Sequence, residues 1–211
     1  MSRTQAKSRL EIARERMYRD LVFESAEHVI AAKGLEDATM QEIAAEAGIS
    51  LRTLYATFSS KEALFAEVEH VRGEEFVAQI KAGIDAAEGP LERLAGGVRG
   101  YVEFLLAHPS FLQIHLREGR AWGLEPTNGA AEGWRSGVGR FVEILRDGME
   151  QGVFYRGDPE LMAMMGAALM QVHLARIARG TPLDADGIAS EIVVQLRRLY
   201  CPPEAATESE A

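Results

Sequence analysis

Residues 39–65, with the sequence TMQEIAAEAGISLRTLYATFSSKEALF, constrain the fold of this chain more than any other segment. Thr39 and Glu42 fit a capping box, in which each side chain accepts a backbone N–H at a helix start. Gly48 follows the helical run, where glycine adopts the left-handed backbone of a helix end most readily. Ser50 then favours a second helix start. The segment therefore predicts two short helices joined by a tight glycine turn.

A third helix follows the first two, because Ser59 and Glu62 form a second capping box. Two short helices joined by a glycine turn of three or four residues make a helix-turn-helix, and its second helix can enter the major groove of DNA. The segment thus indicates a DNA-binding domain. The predicted core of this domain contains Ile43, Leu54, Phe58 and Leu64.

The order of these residues resembles the N-terminal domain of TetR-family transcriptional regulators. A helical segment ending in Lys33 and Gly34 precedes the TMQEIAAEAGIS helix and turn, the RTLYATF recognition helix and the SSKEALF helix start. The resemblance covers residues 17–70, and beyond them only the length and helical character of the chain match. It implies a homodimer with a second domain that senses a small molecule.

The whole chain is predicted to be all-α, because proline is scarce and the alternation typical of strands is absent. The expected parts are a helix-turn-helix domain over residues 1–65, of which 1–15 form a flexible basic arm, a helical ligand-binding and dimerisation domain over 66–200, and a disordered acidic tail over 201–211. A helix over residues 61–86 would span roughly 35–40 Å and could connect the two domains.

Later helix boundaries follow capping residues and prolines. Asp158 and Pro159 open one helix, with the aspartate as its cap and the proline in its first turn. Residues 119–133, which include Pro-Thr-Asn-Gly, form the best loop candidate. The last helix is expected over residues 184–200.

The net charge of −9 is unusual for a DNA-binding protein, so the distribution of charge matters. Residues 1–21 carry six basic side chains against three acidic ones, and the excess acid lies elsewhere. Phosphate binding depends on local cations and helix N-termini rather than on net charge. The basic N-terminal segment either contacts DNA or is a solvated terminus.

Several other classes of protein fit poorly. No run of about twenty apolar residues predicts a membrane span, and the N-terminus lacks an apolar signal-peptide core. The single cysteine, Cys201, cannot form an internal disulfide, which agrees with a cytoplasmic protein. Glycine-rich phosphate loops, nucleophile elbows and closely spaced histidine pairs are missing from the sequence, so we expect no enzyme, no cofactor and no metal site.

The recognition helix supplies most of the predicted DNA contacts. Arg52 is the first candidate for a base contact, because arginine can pair bidentately with guanine; its alternative is a phosphate or solvent contact. Leu51 could meet a thymine methyl, and Thr53 could reach a base or a backbone oxygen. The family resemblance implies phosphate contacts for Tyr55 and Thr57, although Thr57 is shorter than the usual histidine or tyrosine. The other predicted phosphate contacts are Thr39, Ser50 and Lys61.

The second domain is rich in aromatic, histidine and methionine side chains, which suit an apolar pocket with a few polar groups. The candidate pocket residues are Tyr101, Phe104, His108, Phe111, His115, Trp122, Trp134, Phe141, Met165 and His173. Each aromatic residue or methionine could instead belong to the core. Similarly, His115 and His173 could hydrogen-bond a neighbouring helix or face solvent.

The family resemblance also implies that the last two long helices pair with those of a second copy in a four-helix bundle. The candidate interface residues, some of which must belong to the core of one chain, are Met164, Met165, Ala168, Val172, Ile192 and Leu196. The predicted function is a homodimeric repressor that an apolar or aromatic small molecule releases from a palindromic DNA operator. The alternatives are a DNA-binding protein of the same fold without a small-molecule inducer, and a helical enzyme that carries the motif.

Overall fold

A computed structural model describes residues 3–117, 131–178 and 184–203. These residues form helices and short connections without any strand, which confirms the predicted all-α fold. The chain divides into two compact units, Met1–Arg72 and Gly73–Ala211. This boundary lies a few residues after the predicted one, which was at residue 65.

The first unit has two short helices between two long ones. It contains α1 (Arg3–Lys33), α2 (Met40–Glu46), α3 (Leu51–Thr57) and the beginning of α4 (Lys61–Asp85). Residues 3–15 of the flexible arm expected over residues 1–15 belong to α1. Those residues include alanine, arginine and glutamate and contain neither glycine nor proline, so they have a good intrinsic preference for helix.

One face of α1 packs with α2, α3 and α4 in the core of this unit. The four residues predicted for this core are all buried, with Phe58 the most exposed at 8%. The buried residues from all four helices include Val22, Phe23, Ala26, Ile30, Ile43, Leu54, Phe58, Leu64, Phe65 and Val68. The rings of Phe23 and Phe58 lie 6.2 Å apart between centroids. Burial of these side chains stabilises the unit, because α2 and α3 are too short to be stable alone.

An ion pair lies inside this unit, between α1 and α4. Arg72 Nε donates to Glu27 Oε1 at 2.6 Å, and the two side chains are only 8% and 4% exposed. Charges this deeply buried are tolerated when they are paired and hydrogen-bonded. The pair therefore ties α4 to α1 at one defined position.

The second unit contains the remaining helices. They are the rest of α4, α5 (Pro90–Ala107), α6 (Pro109–Arg117), α7 (Ala131–Glu150), α8 (Pro159–Ala178) and α9 (Ala185–Tyr200). The Asp158 carboxylate accepts the backbone N–H of Glu160 at 2.9 Å, which confirms the predicted cap of α8. Of the predicted loop, residues 131–133 belong to α7 and the others lie outside the described residues. Residues 204–211 of the predicted tail also lie outside them.

The core of the second unit is apolar and runs through all of its helices. Its fully buried members include Leu94, Val102, Ile144, Leu145, Leu174, Ile192, Leu196 and Tyr200. Close backbone contacts need glycine: a Cβ added to Gly83 would lie 2.1 Å from the carbonyl oxygen of Gly96. The α4 and α5 backbones therefore touch at this point.

Helix α8 is long and apolar enough, by length and composition, to cross a membrane. No such segment was expected from the sequence. This is weak support for a membrane span, because the core helix of a soluble protein passes the same test. Helix α8 packs against α6, α7 and α9 and contributes the buried Ala163 and Leu174 to the core.

Candidate DNA-binding site

The start of α2 is held by reciprocal hydrogen bonds. Thr39 Oγ1 accepts the N–H of Glu42 at 3.3 Å, and the Glu42 carboxylate accepts the N–H of Thr39 at 3.2 Å. This confirms the predicted capping box. Hydrogen bonds from the Lys33 ammonium and then from the Thr39 hydroxyl hold the pKa of the Glu42 carboxyl below its usual value. The network fixes the first turn of α2.

The turn after α2 explains the glycine in the sequence pattern. Gly48 has a φ of 66°, in the left-handed region that favours glycine. Its N–H donates to the carbonyl oxygen of Ala45 at 3.1 Å, and the N–H of Ile49 donates to the carbonyl oxygen of Ala44 at 2.9 Å, as expected for a Schellman helix end. A Cβ at this position would meet no atom of the described residues within 4 Å, its two chain neighbours aside, so the backbone angle, and not packing, requires glycine.

Helix α3 begins directly after this turn. Ser50 Oγ accepts the N–H of Thr53 at 3.0 Å, which confirms the predicted cap, and it lies 2.6 Å from Thr53 Oγ1. Leu54 is fully buried, so one face of α3 belongs to the core of the unit. The opposite side is exposed and carries Arg52, Thr53, Tyr55 and Thr57, while Leu51 is half-buried.

Arg52 differs from the other cations near the helix-turn-helix. Arg19 pairs with Glu67 at 2.5 Å, and Lys33 pairs with Glu42. Arg52 is exposed, and within the described residues it makes neither a hydrogen bond nor an ion pair. Its guanidinium can therefore bind a base or a phosphate without first breaking an ion pair.

The structure corrects the predicted cap of α4 and gives Lys61 partners within its own unit. Ser60, rather than Ser59, caps the helix, because its hydroxyl accepts the N–H of Ala63 at 3.1 Å. Lys61, predicted to hold a phosphate, is half-buried, and its ammonium donates to backbone carbonyl oxygens of its own unit. The sequence predicted the helix start correctly to within one residue, but not the partners of the lysine.

Five of the predicted pocket residues do come together in the second unit. Ring contacts run from Phe104 to His108 at 4.5 Å, from Phe104 to Phe111 at 6.0 Å, and from Phe111 to His115 at 4.1 Å between centroids. Tyr101 joins them through Phe76, which lies 5.7 Å from Tyr101 and 5.1 Å from Phe104. We call these six side chains the ring row.

The buried members of the ring row are Tyr101, Phe104 and Phe111, whereas the two histidines are half-buried. Burial raises the pKa of the Tyr101 phenol. Nδ1 of His115 donates to the Phe111 carbonyl oxygen at 2.9 Å. Phe76 was not among the predicted pocket residues, although its place on the apolar side of α4 is a usable signal.

The other predicted pocket residues do not join the ring row in the part of the chain that the structure describes. His173 is buried and lies 3.1 Å from Gln195 Oε1, so it connects α8 to α9. Phe141 packs on Tyr200 with ring centroids 6.4 Å apart, and Met165 is 43% exposed. Met165 lines an open groove beside α9 instead, away from the ring row. Trp122 and the side chain of Trp134 lie outside the described residues.

The predicted dimer residues divide into two groups. Ile192 and Leu196 have no exposed surface, so they are the candidates that belong to the core of their own chain. Met165 and Val172 are exposed, while Met164 and Ala168 are half-buried. Leu161, Met165, Ala168 and Val172 follow one another at helical spacing along α8, and we call them the α8 stripe.

Comparisons with known proteins agree with this architecture. A family model described as bacterial regulatory proteins, tetR family, matches residues 22–68, and a tetracyclin repressor-like C-terminal domain model matches residues 87–176. The chain belongs to the TetR family. It is therefore a DNA-binding transcriptional regulator of the repressor type, not an enzyme.

Two relatives of this TetR-family protein are transcriptional repressors of the helix-turn-helix type. The chain is 29% identical to SCO4008 of Streptomyces coelicolor over 84% of this chain and 92% of the relative. It is 28% identical to KstR2 of Mycobacterium tuberculosis over 63% and 67% of the two chains.

Solved structures show the same fold. The ketosteroid transcriptional regulator KstR2 of Mycobacterium tuberculosis superposes with a TM-score of 0.74 at 25% identity, over 87% of this chain and 95% of that one. PfmR, a TetR-family regulator of Thermus thermophilus, has a TM-score of 0.72 at 23% identity, over 84% and 97% of the two chains.

Proposed function

We propose that this TetR-family regulator acts in the cytoplasm as a homodimeric repressor, and that an apolar or aromatic small molecule releases it from a palindromic operator. The observation that carries the DNA-reading part is the exposed Arg52 on α3, which has no partner among the described residues. An arginine near the beginning of a recognition helix can bind guanine O6 and N7 at once.

The remaining α3 contacts follow from position and exposure. Leu51 and Thr53 lie beside Arg52 at the beginning of the helix, where base edges are contacted. Tyr55 and Thr57 are exposed further along α3 and suit phosphate oxygens. The hydroxyls of Thr39 and Ser50, at the starts of α2 and α3, are proposed to accompany them.

The α8 stripe supports a homodimer. Leu161 is 52% exposed, Met165 43% and Val172 60%, so large apolar side chains line one side of a long helix. An open groove between α8 and α9 continues this surface through Ala168, Leu169 and Leu199. A second copy that covers the stripe would remove this apolar area from water, and its two-fold symmetry requires a palindromic operator.

The ring row supports an apolar or aromatic effector. Effector sites are mostly apolar with a few polar groups, and this row combines aromatic rings with two half-buried imidazoles. An apolar effector also agrees with the relative described as a ketosteroid transcriptional regulator.

The tight packing of the ring row favours one alternative, a repressor of the same fold without a small-molecule inducer. The ring centroid of Phe104 lies 5.1 Å from that of Phe76 and 6.0 Å from that of Phe111. An effector would therefore have to displace a ring to bind between them. A thermal-shift screen with steroids, fatty acids and planar aromatic compounds separates the two functions. A compound that raises the Tm and releases DNA supports the inducible repressor, whereas the absence of any such compound supports the alternative.

The decisive experiment selects the operator from a random duplex library with the full-length protein. Arg52→Ala should then weaken binding to the selected duplex by about 1–3 kcal/mol and relax the base preference at one position of each half-site. Arg156→Ala, which removes an exposed arginine from the second unit, should change neither. An unchanged affinity and base preference of Arg52→Ala would remove Arg52 from the base-contacting role.

The dimer is tested separately by sedimentation at micromolar concentration. Val172→Glu places a carboxylate in the α8 stripe and should convert the dimer to a monomer, because an unpaired charge is unfavourable in an apolar interface. Tyr155→Glu is the control, since Tyr155 is also an exposed apolar residue but lies outside α8. A wild-type protein that sediments as a monomer would contradict the homodimer.

A further inference from the structure

Lys61, the first residue of α4, makes two contacts that its sequence position does not suggest. Its Nζ donates to the carbonyl oxygen of Glu36 at 2.9 Å and to that of Ala38 at 2.8 Å. Both carbonyl groups lie in the connection between α1 and α2. Hydrogen bonds between an ammonium and carbonyl oxygens are charge-assisted and stronger than bonds between neutral groups.

These two bonds join the two ends of the helix-turn-helix. Ala38 immediately precedes Thr39, the cap of α2, and Lys61 immediately follows Ser60, the cap of α4. Ala38 and Lys61 are 23 residues apart in the sequence, and the segment between them contains all of α2, the Gly48 turn and α3. The ammonium therefore fixes the distance between the points where this segment leaves and re-enters the rest of the unit.

The alternative role for Lys61 is a phosphate contact, which was the prediction from the sequence. An ammonium has three N–H donors, and two of them are already bonded inside the unit. The side chain is also half-buried, in contrast to the exposed Arg52 on α3. The donors of Lys61 thus point mainly into the protein.

We propose that Lys61 is a positioning residue, which sets the placement of α3 by holding the connection before α2, and that it is not a phosphate ligand. Its effect on DNA binding passes through the orientation of α3. This inference rests on the proposed DNA contacts of α3, because a misplaced recognition helix matters only if that helix contacts bases.

The salt dependence of DNA binding separates the two roles. Each phosphate contact contributes about 0.9 to the slope of log K against log salt, so the loss of one contact per half-site would lower the slope of a dimer by roughly 1.8. A residue that only positions α3 leaves the number of phosphate contacts, and hence the slope, unchanged. A misplaced α3 should also weaken binding to the selected operator far more than binding to a random duplex, because a random duplex is bound mainly through its phosphate charge.

The experiment uses full-length Lys61→Met and Lys61→Gln with the selected operator and with a random duplex of equal length. Lys61→Met should weaken operator binding by about tenfold or more at every salt concentration, because two charge-assisted bonds are lost. Its slope should match that of the wild type, and random-duplex binding should stay within about threefold. Lys61→Gln should recover part of the operator affinity, because an amide keeps two N–H donors without the charge.

Lys81→Gln is the matched control, since it removes a lysine of the same helix that lies in the second unit. Active protein is counted by titration with operator, and if Lys61→Met does not fold, Lys61→Gln carries the same slope comparison. A slope lowered equally by both variants, on both duplexes, would overturn the proposal in favour of a phosphate contact. Unchanged operator affinity per active molecule would overturn it in favour of a purely structural lysine. A wild-type protein without any duplex preference would instead overturn the proposed DNA reading, and the positioning role with it.

Discussion

The two units of this regulator achieve stability by different means. The first unit contains two helices of seven residues each, which are too short to be stable alone, and it holds them with caps, the Lys61 bonds and the buried Glu27–Arg72 pair. The second unit consists of longer helices around an apolar core. Directional bonds fix angles more tightly than apolar contacts do, so the unit that must match the geometry of DNA is the one that relies on them.

The largest expected effect tests the ion pair of the first unit. Glu27→Met leaves the Arg72 guanidinium buried without its carboxylate and should lower the free energy of unfolding by about 3–5 kcal/mol. The double variant Glu27→Met/Arg72→Met should recover most of this loss, because a buried pair can be replaced by apolar side chains of similar size. Far-UV circular dichroism during urea unfolding measures both values.

Tryptophan fluorescence provides the control for this comparison. Both tryptophans, Trp122 and Trp134, fall in the sequence range of the second unit, so we use their fluorescence to follow that unit. The fluorescence transition of Glu27→Met should coincide with that of the wild type, while the dichroism transition moves to lower urea. A common shift of both transitions would show that the ion pair stabilises the whole chain and would remove the proposed contrast between the units.

The difference between the units also explains how much could be predicted from the sequence. The caps and the glycine turn of the first unit are local signals, and Thr39, Gly48 and Ser50 have the predicted roles. The partners of Lys61 are more than 20 residues away, and those of Glu27 lie 45 residues away, so no local pattern identifies them. Prediction succeeded where a role depends on neighbours along the chain.

In the second unit the sequence predicted which kinds of residue occur, but not what surrounds each side chain. Apolar spacing predicted α8 and α9, yet it could not tell which apolar side faces the chain's own core. Ile192 and Val172 illustrate the point, because both were assigned to an interface, although one is fully buried and the other is 60% exposed. The ring row shows the same limit: its residue types were predicted, but the packing of Phe76 against Phe104 depends on tertiary structure.

An intermediate effect tests the close packing of the second unit. A Cβ on Gly166 would lie 2.3 Å from Tyr200 Oη, and Tyr200 is fully buried and donates to the Met162 carbonyl oxygen at 2.7 Å. Gly166→Ala should therefore lower the free energy of unfolding of this unit by about 1–3 kcal/mol, because the ring must move. Gly139→Ala is the matched control, since among the described residues outside its own helix backbone no atom lies within 4 Å of its added Cβ.

Gly139→Ala should raise the free energy of unfolding by about 0.5–1 kcal/mol, because alanine favours helix over glycine. Tryptophan fluorescence during urea unfolding measures both variants. Equal effects of the two substitutions would show that the contact between Gly166 and Tyr200 is loose, and that the second unit depends less on close packing than the structure indicates.

The smallest expected effect is on the pH dependence of stability, and it is tested with one carboxylate from each unit. The hydrogen bond from Lys33 lowers the pKa of Glu42 below 4.5, and the bond from Arg176 does the same for Glu191 in the second unit. Each carboxyl therefore has a lower pKa in the folded chain than in the unfolded chain. Its ionised form stabilises the unit at a pH above the unfolded pKa, and this stabilisation is lost as the pH falls through the folded pKa. Both groups should therefore make the protein less stable in acid.

Each glutamine variant should remove this acid sensitivity only from its own unit, because the two carboxylates bond within different units. Glu42→Gln should flatten the pH dependence of unfolding followed by dichroism from about pH 7 to about pH 3, whereas Glu191→Gln should flatten the dependence followed by tryptophan fluorescence. Glu42 also holds the cap of α2 through Thr39, so Glu42→Gln should weaken operator binding at neutral pH and Glu191→Gln should not. Equal losses of operator binding in the two variants would mean that the capping network has no special part in placing α3, and that acid sensitivity is a property of the whole chain.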